Sequence, residues 1–373
     1  MSYMKICFVS PEIFHWGTYG GFGYLTRLLA KKLAEKDIDV SVVTQRRKNQ
    51  NEYETLDGFK VYGYPPHQGT GFGSLSARRD SIKYYQKADA DIYHSQAVSY
   101  NTYASYIAEP DRKHIITFQD PYDWDEWRRI AKVIPRYGTL KHQLRIEAEI
   151  RILAETCRKM DRLYSQAHFL IPKAIKLYKL ENAPEYLPNP VPVPEAVTEK
   201  AEHPTVCFLA RWDPQKRVEL FLGLAEKYPD IEFIAMGKSH DSGKDRELRT
   251  KYGNIPNLTL TGFIPEQEKK AILGKSWALL NTSIREALPV SFLEALANET
   301  PVISGENPDN LVSDYGYHVT ENDYTAGLAW LLDSNDWRRR GRNGRRHVSR
   351  VYDADHVADL HIEEYTRIIE ASG

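Results

Sequence analysis

Cysteine is scarce in this chain: three residues in 373, Cys7, Cys157 and Cys207. They show no paired spacing, which excludes a small disulfide-framed scaffold. Cys7 and Cys207 fall inside apolar runs, KICFVS and TVCFLA, so buried, reduced thiols are expected. Long hydrophobic runs are missing too. None approaches the roughly 20 apolar residues that a membrane-spanning helix needs. The first residues, MSYMKICFVSPE, run into a short β-like segment without signal-peptide architecture, and a cytoplasmic location is expected. There is no excess of one charge. Fifty Lys and Arg stand against 51 Asp and Glu, a formal net charge of −1. That removes any overall pull toward nucleic acid. No internal repeat and no low-complexity tract is present, which excludes a solenoid.

What is there reads as an α/β protein of ordinary composition, 42% apolar and 27% charged. The length exceeds what one core usually serves, so two domains are expected. Short runs that are apolar throughout alternate with amphipathic helical stretches. MKICFVS, VSVVT, FKVYGY, DIYH, HIITF and RLYS occupy the first half, with helical stretches such as GYLTRLLAKKLAEK between them. Runs of this kind suit parallel strands covered on both faces. The proline- and acid-rich YLPNPVPVPEAVTEKAEHP (186–204) breaks the rhythm and reads as a linker. TVCFLA, IEFIAMG, LTLTGF, WALLNTS and PVIS then resume it. Two doubly wound domains facing each other are expected, with ligands beyond the carboxyl ends of the strands.

The residues that follow those strands are therefore the candidates. After the first strand, SPEIFHWGTYGGFGYL carries Gly17, Gly20, Gly21 and Gly23. This is either a glycine-rich turn or a loop whose amides approach a phosphate at a helix N-terminus. It is not a dinucleotide fingerprint, because Thr26 stands where the third glycine should be. After TVCFLA, Arg211 and Lys216 stand five apart. They are a solvated pair or a clamp for a diphosphate. After WALLNTS comes REALPVSFLEAL, with Glu286 and Glu294 eight positions apart. Pro289 suits a first helical turn, so Glu286 lies just before a helix. Val290, Phe292, Leu293, Leu296 and Ala297 form its apolar side, and Ser291, Glu294 and Asn298 share the other. The two carboxylates either accept hydrogen bonds from one ligand's hydroxyls or merely satisfy a helix terminus.

In this order and spacing the motifs resemble retaining glycosyltransferases of the GT-B fold, and glycosyltransferase family 4 in particular. The matching features are E-x7-E (Glu286 to Glu294), R-x4-K (Arg211 to Lys216), the pair Gly20–Gly21, the turn Pro188–Asn189–Pro190, TGFIP at 261–265 and PVIS at 301–304. The resemblance covers nearly the whole chain. It implies two Rossmann-like domains facing a central cleft: 1–190 binding the acceptor and 191–354 binding the nucleotide sugar. A final helix, 355–373, would return to the first domain. By resemblance, Glu286, Arg211 and Lys216 serve catalysis. Glu286, Ala287, Leu288, Pro289, Gln119 and Asp120 surround the donor sugar. Arg211, Lys216 and amides at Gly20, Gly21 and Val290 hold the diphosphate. Glu294 takes the ribose, and Met236, Gly237, Gly262 and Phe263 frame the base.

Two departures stand out. Ala287, Leu288 and Pro289 replace the glycines that often follow the first acid, giving a bulkier, stiffer loop. Gln119 replaces a histidine that often follows the strand HIITF; it can donate and accept hydrogen bonds but cannot act as a base. The implied reaction moves a sugar from a nucleoside-diphosphate donor, UDP favoured, to a hydroxyl of a glycan or lipid-linked glycan, with retention. The nucleotide sugar is a substrate. No cofactor and no metal is expected, since no D-x-D or histidine cluster is positioned for one. Acceptor specificity is expected in the first domain. There HQGTGFGSLSARRD (67–80) reads as a mobile loop. The stretch 127–162, with ten Lys and Arg against four Asp and Glu, reads as a basic surface for peripheral membrane contact. RRRGRNGRRHVSR (338–350) lacks interleaved aromatics and reads as a solvated face, so no nucleic-acid partner is expected. The alternatives on the same architecture are a sugar-nucleotide epimerase, a phosphorylase, or a two-lobed nucleotide-sugar binder without chemistry.

Overall fold

A computed structural model describes residues 4–13, 16, 20–47, 49–65 and 73–371, without the side chains of 73–78. The chain forms two compact units. One comprises Met1–Asp123, Gln143–Pro190 and Ala354–Gly373; the other comprises Trp124–His142 and Val191–Asp353. Residues 124–142, expected in the first domain, thus belong with the second unit.

The first unit is built on β1 (Lys5–Val9), β2 (Asp39–Gln45), β3 (Tyr53–Leu56), β4 (Phe59–Tyr64), β5 (Ile92–Ser95), β6 (Lys113–Phe118), β7 (Arg162–Ser165) and β8 (Glu185–Tyr186). The sheet order is β3-β4-β2-β1-β5-β6-β7-β8. Every pairing is parallel except β3 with β4, which is antiparallel at the edge. β1 shows why the apolar runs become strands. Ile6, Cys7, Phe8 and Val9 are all buried, so side chains of both alternating faces leave water. The helix Ala354–Glu370 belongs to this unit. Val357, Ala358, His361, Tyr365 and Ile368 recur at helical spacing and are buried. Of the loop expected at 67–80, residues 67–72 lie outside the described residues, and the rest open the helix Gly73–Ala88.

That C-terminal helix carries a buried histidine pair. His94 on β5 hydrogen-bonds Tyr365 Oη and Thr117 Oγ1, each at 2.7 Å. His361 stacks on His94 with ring centroids 5.8 Å apart. Burial pushes both histidines down, His361 to about 4. The unfolded chain therefore takes up protons first as the pH falls. The neutral pair contributes its full stability above about pH 6.5, and His361 alone loses about 3 kcal/mol of it between there and pH 4. The urea midpoint of the first unit should drop between pH 7.5 and 5, and His361→Leu should flatten that slope. An unchanged slope would mean that the pair is hydrated in solution.

The second unit holds β9 (Thr205–Leu209), β10 (Glu232–Met236), β11 (Leu258–Gly262), β12 (Ala278–Asn281), β13 (Val302–Ser304) and β14 (Tyr317–His318). Their order is β11-β10-β9-β12-β13-β14, all parallel. This is the doubly wound order in which the winding direction reverses at one place, here between β9 and β12. The later part of the expected linker is laced into this unit. Lys200 Nζ donates to Ser276 O, Asn298 O and Thr300 Oγ1, and Trp277 Nε1 donates to Ala201 O at 2.7 Å. The three cysteines are buried and unpaired. Burial pushes their thiols up, to about 12 for Cys7 and Cys157 and about 11 for Cys207. Among the described residues, no helix is long and apolar enough to cross a membrane.

Candidate active site

Where the winding reverses, the loops after β9 and β12 lie side by side, because those strands pair directly. This is where an open α/β sheet leaves a crevice for ligands. The first loop contains the turn Pro214–Lys216 and then Arg217, which opens the helix Val218–Lys227. The second is Thr282–Pro289. They are stitched together by backbone groups. Gln215 Nε2 donates to Arg285 O at 2.9 Å, Ile284 N to Gln215 O at 2.9 Å, and Thr282 Oγ1 to Lys216 O at 2.7 Å. Arg217 donates to Thr282 O at 2.7 Å and to Tyr324 Oη at 3.2 Å.

This stitching brings Lys216 onto Glu286. Lys216 Nζ lies 2.6 Å and 2.8 Å from the two carboxylate oxygens. Asn281 Nδ2 and Ser283 Oγ also donate to Oε1, at 3.1 Å and 2.5 Å. Burial opposes the charge of Glu286, but Lys216 and these hydrogen bonds outweigh it and hold the carboxyl below its usual range. Counting donors and acceptors shows what is left for a ligand. Oε1 accepts from three groups and Oε2 from one, so Oε2 keeps an acceptor position. Lys216 has three N–H donors and uses two of them on Glu286. Arg211 is more open. Its nearest acid is Asp213, at 3.4 Å.

The helix Val290–Ala297 follows with Pro289 at its N-cap, and no side chain caps its first amides. The amides at Val290 and Ser291 therefore present a partial positive charge beside Glu286. Ala287 is half-buried, and Leu288 is buried in the unit. The expected polar side of this helix does not face solvent. Residues 292–298 are all buried, Glu294 and Asn298 included. Glu294 is instead ion-paired to Lys269 Nζ at 2.5 Å. Lys269 lies on Glu266–Lys275, the helix that follows TGFIP.

The residues expected to frame a base also gather in this unit. Gly237 N donates to Gly262 O at 2.9 Å, bridging the ends of β10 and β11. Both glycines have positive φ, +119° and +78°. Met236 is fully buried, so only its backbone is available, whereas Phe263 is 58% exposed. Trp212 was not singled out by the sequence. It is buried, its Nε1 has no hydrogen-bond partner among the described residues, and it lies beside Gly237. A buried N–H without a partner suits a bound acceptor atom. A cavity of about 710 Å³ opens next to this corner, lined by Lys238, Ser239, His240, Asp245 and Arg249 among others.

The first-unit candidates are arranged differently from expectation. Gly20 is the N-cap of Gly21–Ala34, but the helix terminus already holds a carboxylate. Glu12 Oε1 accepts from Gly23 N at 3.0 Å, and a Cβ on Gly20 would sit 2.4 Å from the same oxygen. A phosphate at Gly20 and Gly21 would have to displace Glu12. Thr26 is explained by its hydroxyl, 3.0 Å from Ser10 Oγ. Gln119 turns its amide onto Asn189. It is buried, it donates from Nε2 to Asn189 Oδ1 at 3.0 Å, and its Oε1 accepts from Asn189 Nδ2 at 2.7 Å. Gln166 completes this amide cluster. Asp120, the next residue, is half-buried. Gln96, just after β5, carries no signal in the sequence: it is buried, and its Nε2 has no hydrogen-bond partner among the described residues.

The segment after Asp120 supplies two further partners of the acid loop. The helix Trp124–Ala131 places Glu126 3.1 Å from Arg285, with both side chains almost fully buried. Arg129 reaches Glu306 at 2.8 Å, and Glu306 accepts from Glu286 N at 3.4 Å. Nothing in the spacing of these residues announces the pairs. The only signal available was the polar run NTSIRE directly after an apolar strand. The basic stretch 127–162 is also not one surface of one unit. Residues 127–142 belong to the second unit and 143–162 to the first. Arg128, Arg129, Arg151 and Arg158 are ion-paired.

Two parallel-sheet α/β units, the second with lysine and glutamate at its reversal point, define a protein of the GT-B type. Residues 19–193 match the family described as Glycosyltransferase Family 4, and residues 193–347 match Glycosyl transferases group 1. Together these cover most of the chain, which belongs to this glycosyltransferase family. It is 31% identical over 171 residues to glycosyltransferase 1 domain-containing protein 1 of Xenopus tropicalis, covering 44% of this chain and 48% of that protein. The chain spans about half the length of the curated relatives it matches. Sucrose-phosphate synthase from Thermosynechococcus elongatus shares the fold with a TM-score of 0.78 at 15% identity, over 99% of this chain and all of that one. Anabaena HepE, solved with UDP and glucose, does so with a TM-score of 0.72 at 14% identity, over 98% of this chain and all of that one.

Proposed function

We propose that the chain is a retaining glycosyltransferase. It would move a sugar from a nucleoside-diphosphate donor, a UDP-sugar first, to a hydroxyl of a glycan or lipid-linked glycan. The observation that carries this reading is the Lys216–Glu286 pair at the reversal point, with one Lys216 donor and one Glu286 acceptor position unused. A phosphate oxygen suits the first and a sugar hydroxyl the second. Arg211 and the amides of Val290 and Ser291 add positive charge for the departing diphosphate, which needs it most in the transition state. That assigns the leaving charge to this chain's own groups, so a chelator is expected to leave turnover unchanged. Glu294 and the corner at Gly237, Gly262 and Trp212 would take ribose and base. The likeness to HepE, solved with UDP, supports uracil as the base.

Glu286 and Glu294 are each paired with a lysine. That suits anions receiving hydroxyl groups, not the acid and base of a glycosidase pair. The acceptor's proton would pass to the leaving phosphate oxygen. Acceptor binding is assigned to the first unit, where Gln96 Nε2, just after β5, has no hydrogen-bond partner among the described residues. Leu144 and Ile152 are exposed on the first-unit part of the helix Leu140–Cys157. With Arg145 and Arg151 beside them, they support peripheral contact with an anionic, cytoplasmic membrane face.

A thermal-shift panel of UDP, GDP, ADP, CMP and NAD tests the donor reading. A ligand at a hundred times its dissociation constant adds about 2.7 kcal/mol to the state that binds it. UDP is expected to raise the transition of the second unit, and Glu294→Ala to abolish that rise. Stabilisation by NAD alone, or by nothing, would remove the basis for a nucleotide-sugar donor.

A further inference from the structure

Seven arginines stand between positions 338 and 350. Four of them have structural partners. Arg338 lies over the rings of Trp277 and Trp337, at 5.6 Å and 4.3 Å. Arg339 and Arg340 pair with Asp336 at 2.6 Å and 2.7 Å. Arg345 donates to Ala297 O and Pro194 O. The other three, Arg342, Arg346 and Arg350, make no hydrogen bond or ion pair among the described residues. They are spaced four apart on the helix Asp336–Val351, so they share one face and repel one another.

All three line a single concavity of about 430 Å³, together with Arg345, Ser349 and Glu299. Among the described residues Glu299 is the one acid there and forms no ion pair with the four guanidinium groups around it; its backbone is left-handed at φ +55°. The concavity therefore carries four positive charges against one negative, and neither sign is neutralised by direct contact. None of Arg211, Lys216, Glu286 and Glu294 lines it.

We propose that this concavity binds a phosphomonoester of a small polyhydroxy compound. Planar guanidinium forks match phosphate oxygens two at a time, better than any other side chain. The Glu299 carboxylate is an acceptor for hydroxyl groups, and the Ser349 hydroxyl donates or accepts. A volume of about 430 Å³ falls in the range for small-molecule sites, about 300–1,000 Å³. A bound phosphate would also remove the repulsion along the arginine face. The site does not depend on the donor reading.

Calorimetric titration of the full chain at physiological ionic strength tests this, with glucose 6-phosphate, glucose and inorganic phosphate as probes. Duplex DNA and phosphatidylserine vesicles serve as competing macromolecular arms. One-to-one binding of glucose 6-phosphate is expected, at least tenfold tighter than inorganic phosphate, with none of glucose. Arg342→Ala, Arg346→Ala and Arg350→Ala should each weaken it at least tenfold. Glu299→Gln should narrow the gap between glucose 6-phosphate and phosphate. Saturable binding that survives the triple arginine variant would overturn the proposal, and so would equal affinity for phosphate. Binding of DNA or vesicles in place of glucose 6-phosphate would overturn it in favour of a polyanion surface. The three arginines are exposed, and the triple variant should keep any nucleotide-induced thermal shift. That separates failure here from failure of the donor site.

Discussion

Lys216→Ala is expected to lower the stability of the second unit by about 3–5 kcal/mol at neutral pH and to abolish donor binding. The size follows from what remains. Glu286 is buried, and without Lys216 only Asn281 and Ser283 still hold its charge. Removing one partner of a buried pair leaves the other uncompensated, which is costlier than losing both. The pH dependence gives the signature. In the wild type the Glu286 carboxyl is held below its usual range, so its contribution is present above about pH 4.3 and is lost as the pH falls. In the variant, burial is left to push it upward, so stability is lost as the pH rises past the unfolded value. The deficit of the variant should therefore be large at pH 8 and small at pH 5. Urea unfolding at both values measures it. Glu286→Gln in the Lys216→Ala background should recover most of the stability but none of the nucleotide-induced shift. A deficit that does not change with pH would mean that Lys216 and Glu286 are not paired in solution.

Gly237→Ala is the second large effect expected. The φ of +119° is one that side chains rarely adopt, and a Cβ there would lie 2.0 Å from Ala210 O. Backbone strain of this kind is worth roughly 1–3 kcal/mol, and the clash adds to it. Ala210 opens the loop after β9, just before Arg211, and Gly237 N bridges to Gly262 O, so relief of the clash moves the base corner. A loss of at least about 3 kcal/mol is expected, together with loss of nucleotide binding. Gly223→Ala is the matched control. It lies on the helix Val218–Lys227 with nothing within 4 Å of the added Cβ. It should raise stability by up to about 1 kcal/mol. Thermal denaturation of the two variants side by side tests both, and equal melting points would refute the steric account.

The candidate site was legible in parts. Glu286, Glu294, Arg211 and Lys216 could be picked out because they follow apolar runs that read as strands, and such runs end at a ligand-binding edge in this architecture. Gly237 and Gly262 are implied only by the family resemblance, not by the pattern of the residues. The partners of the acids and cations could not be picked out. Lys269 stands 25 positions from Glu294, and Arg285 finds Glu126 on a helix preceding the whole second sheet. Glu12, which accepts from Gly23 N at the start of the glycine helix, has no periodic signature, because it is a lone acid in a loop. Gln119 read as a replacement for a ligand-facing group. Only packing shows that Asn189, 70 positions later, takes both ends of its amide.

The sequence by itself determined the alternation of strands and helices and the positions of the strand ends. A parallel strand buried on both faces must be apolar throughout, and that constraint is local. It also determined which polar residues stand at those ends. Which of them meet was decided only by the tertiary structure. Lys216 and Glu286 are 70 residues apart, and they touch because β9 pairs on one side with β10, the next strand in the chain, and on the other with β12, three strands on. Strand order is set by how crossovers cover both faces of the sheet, a global packing choice with no counterpart in local spacing.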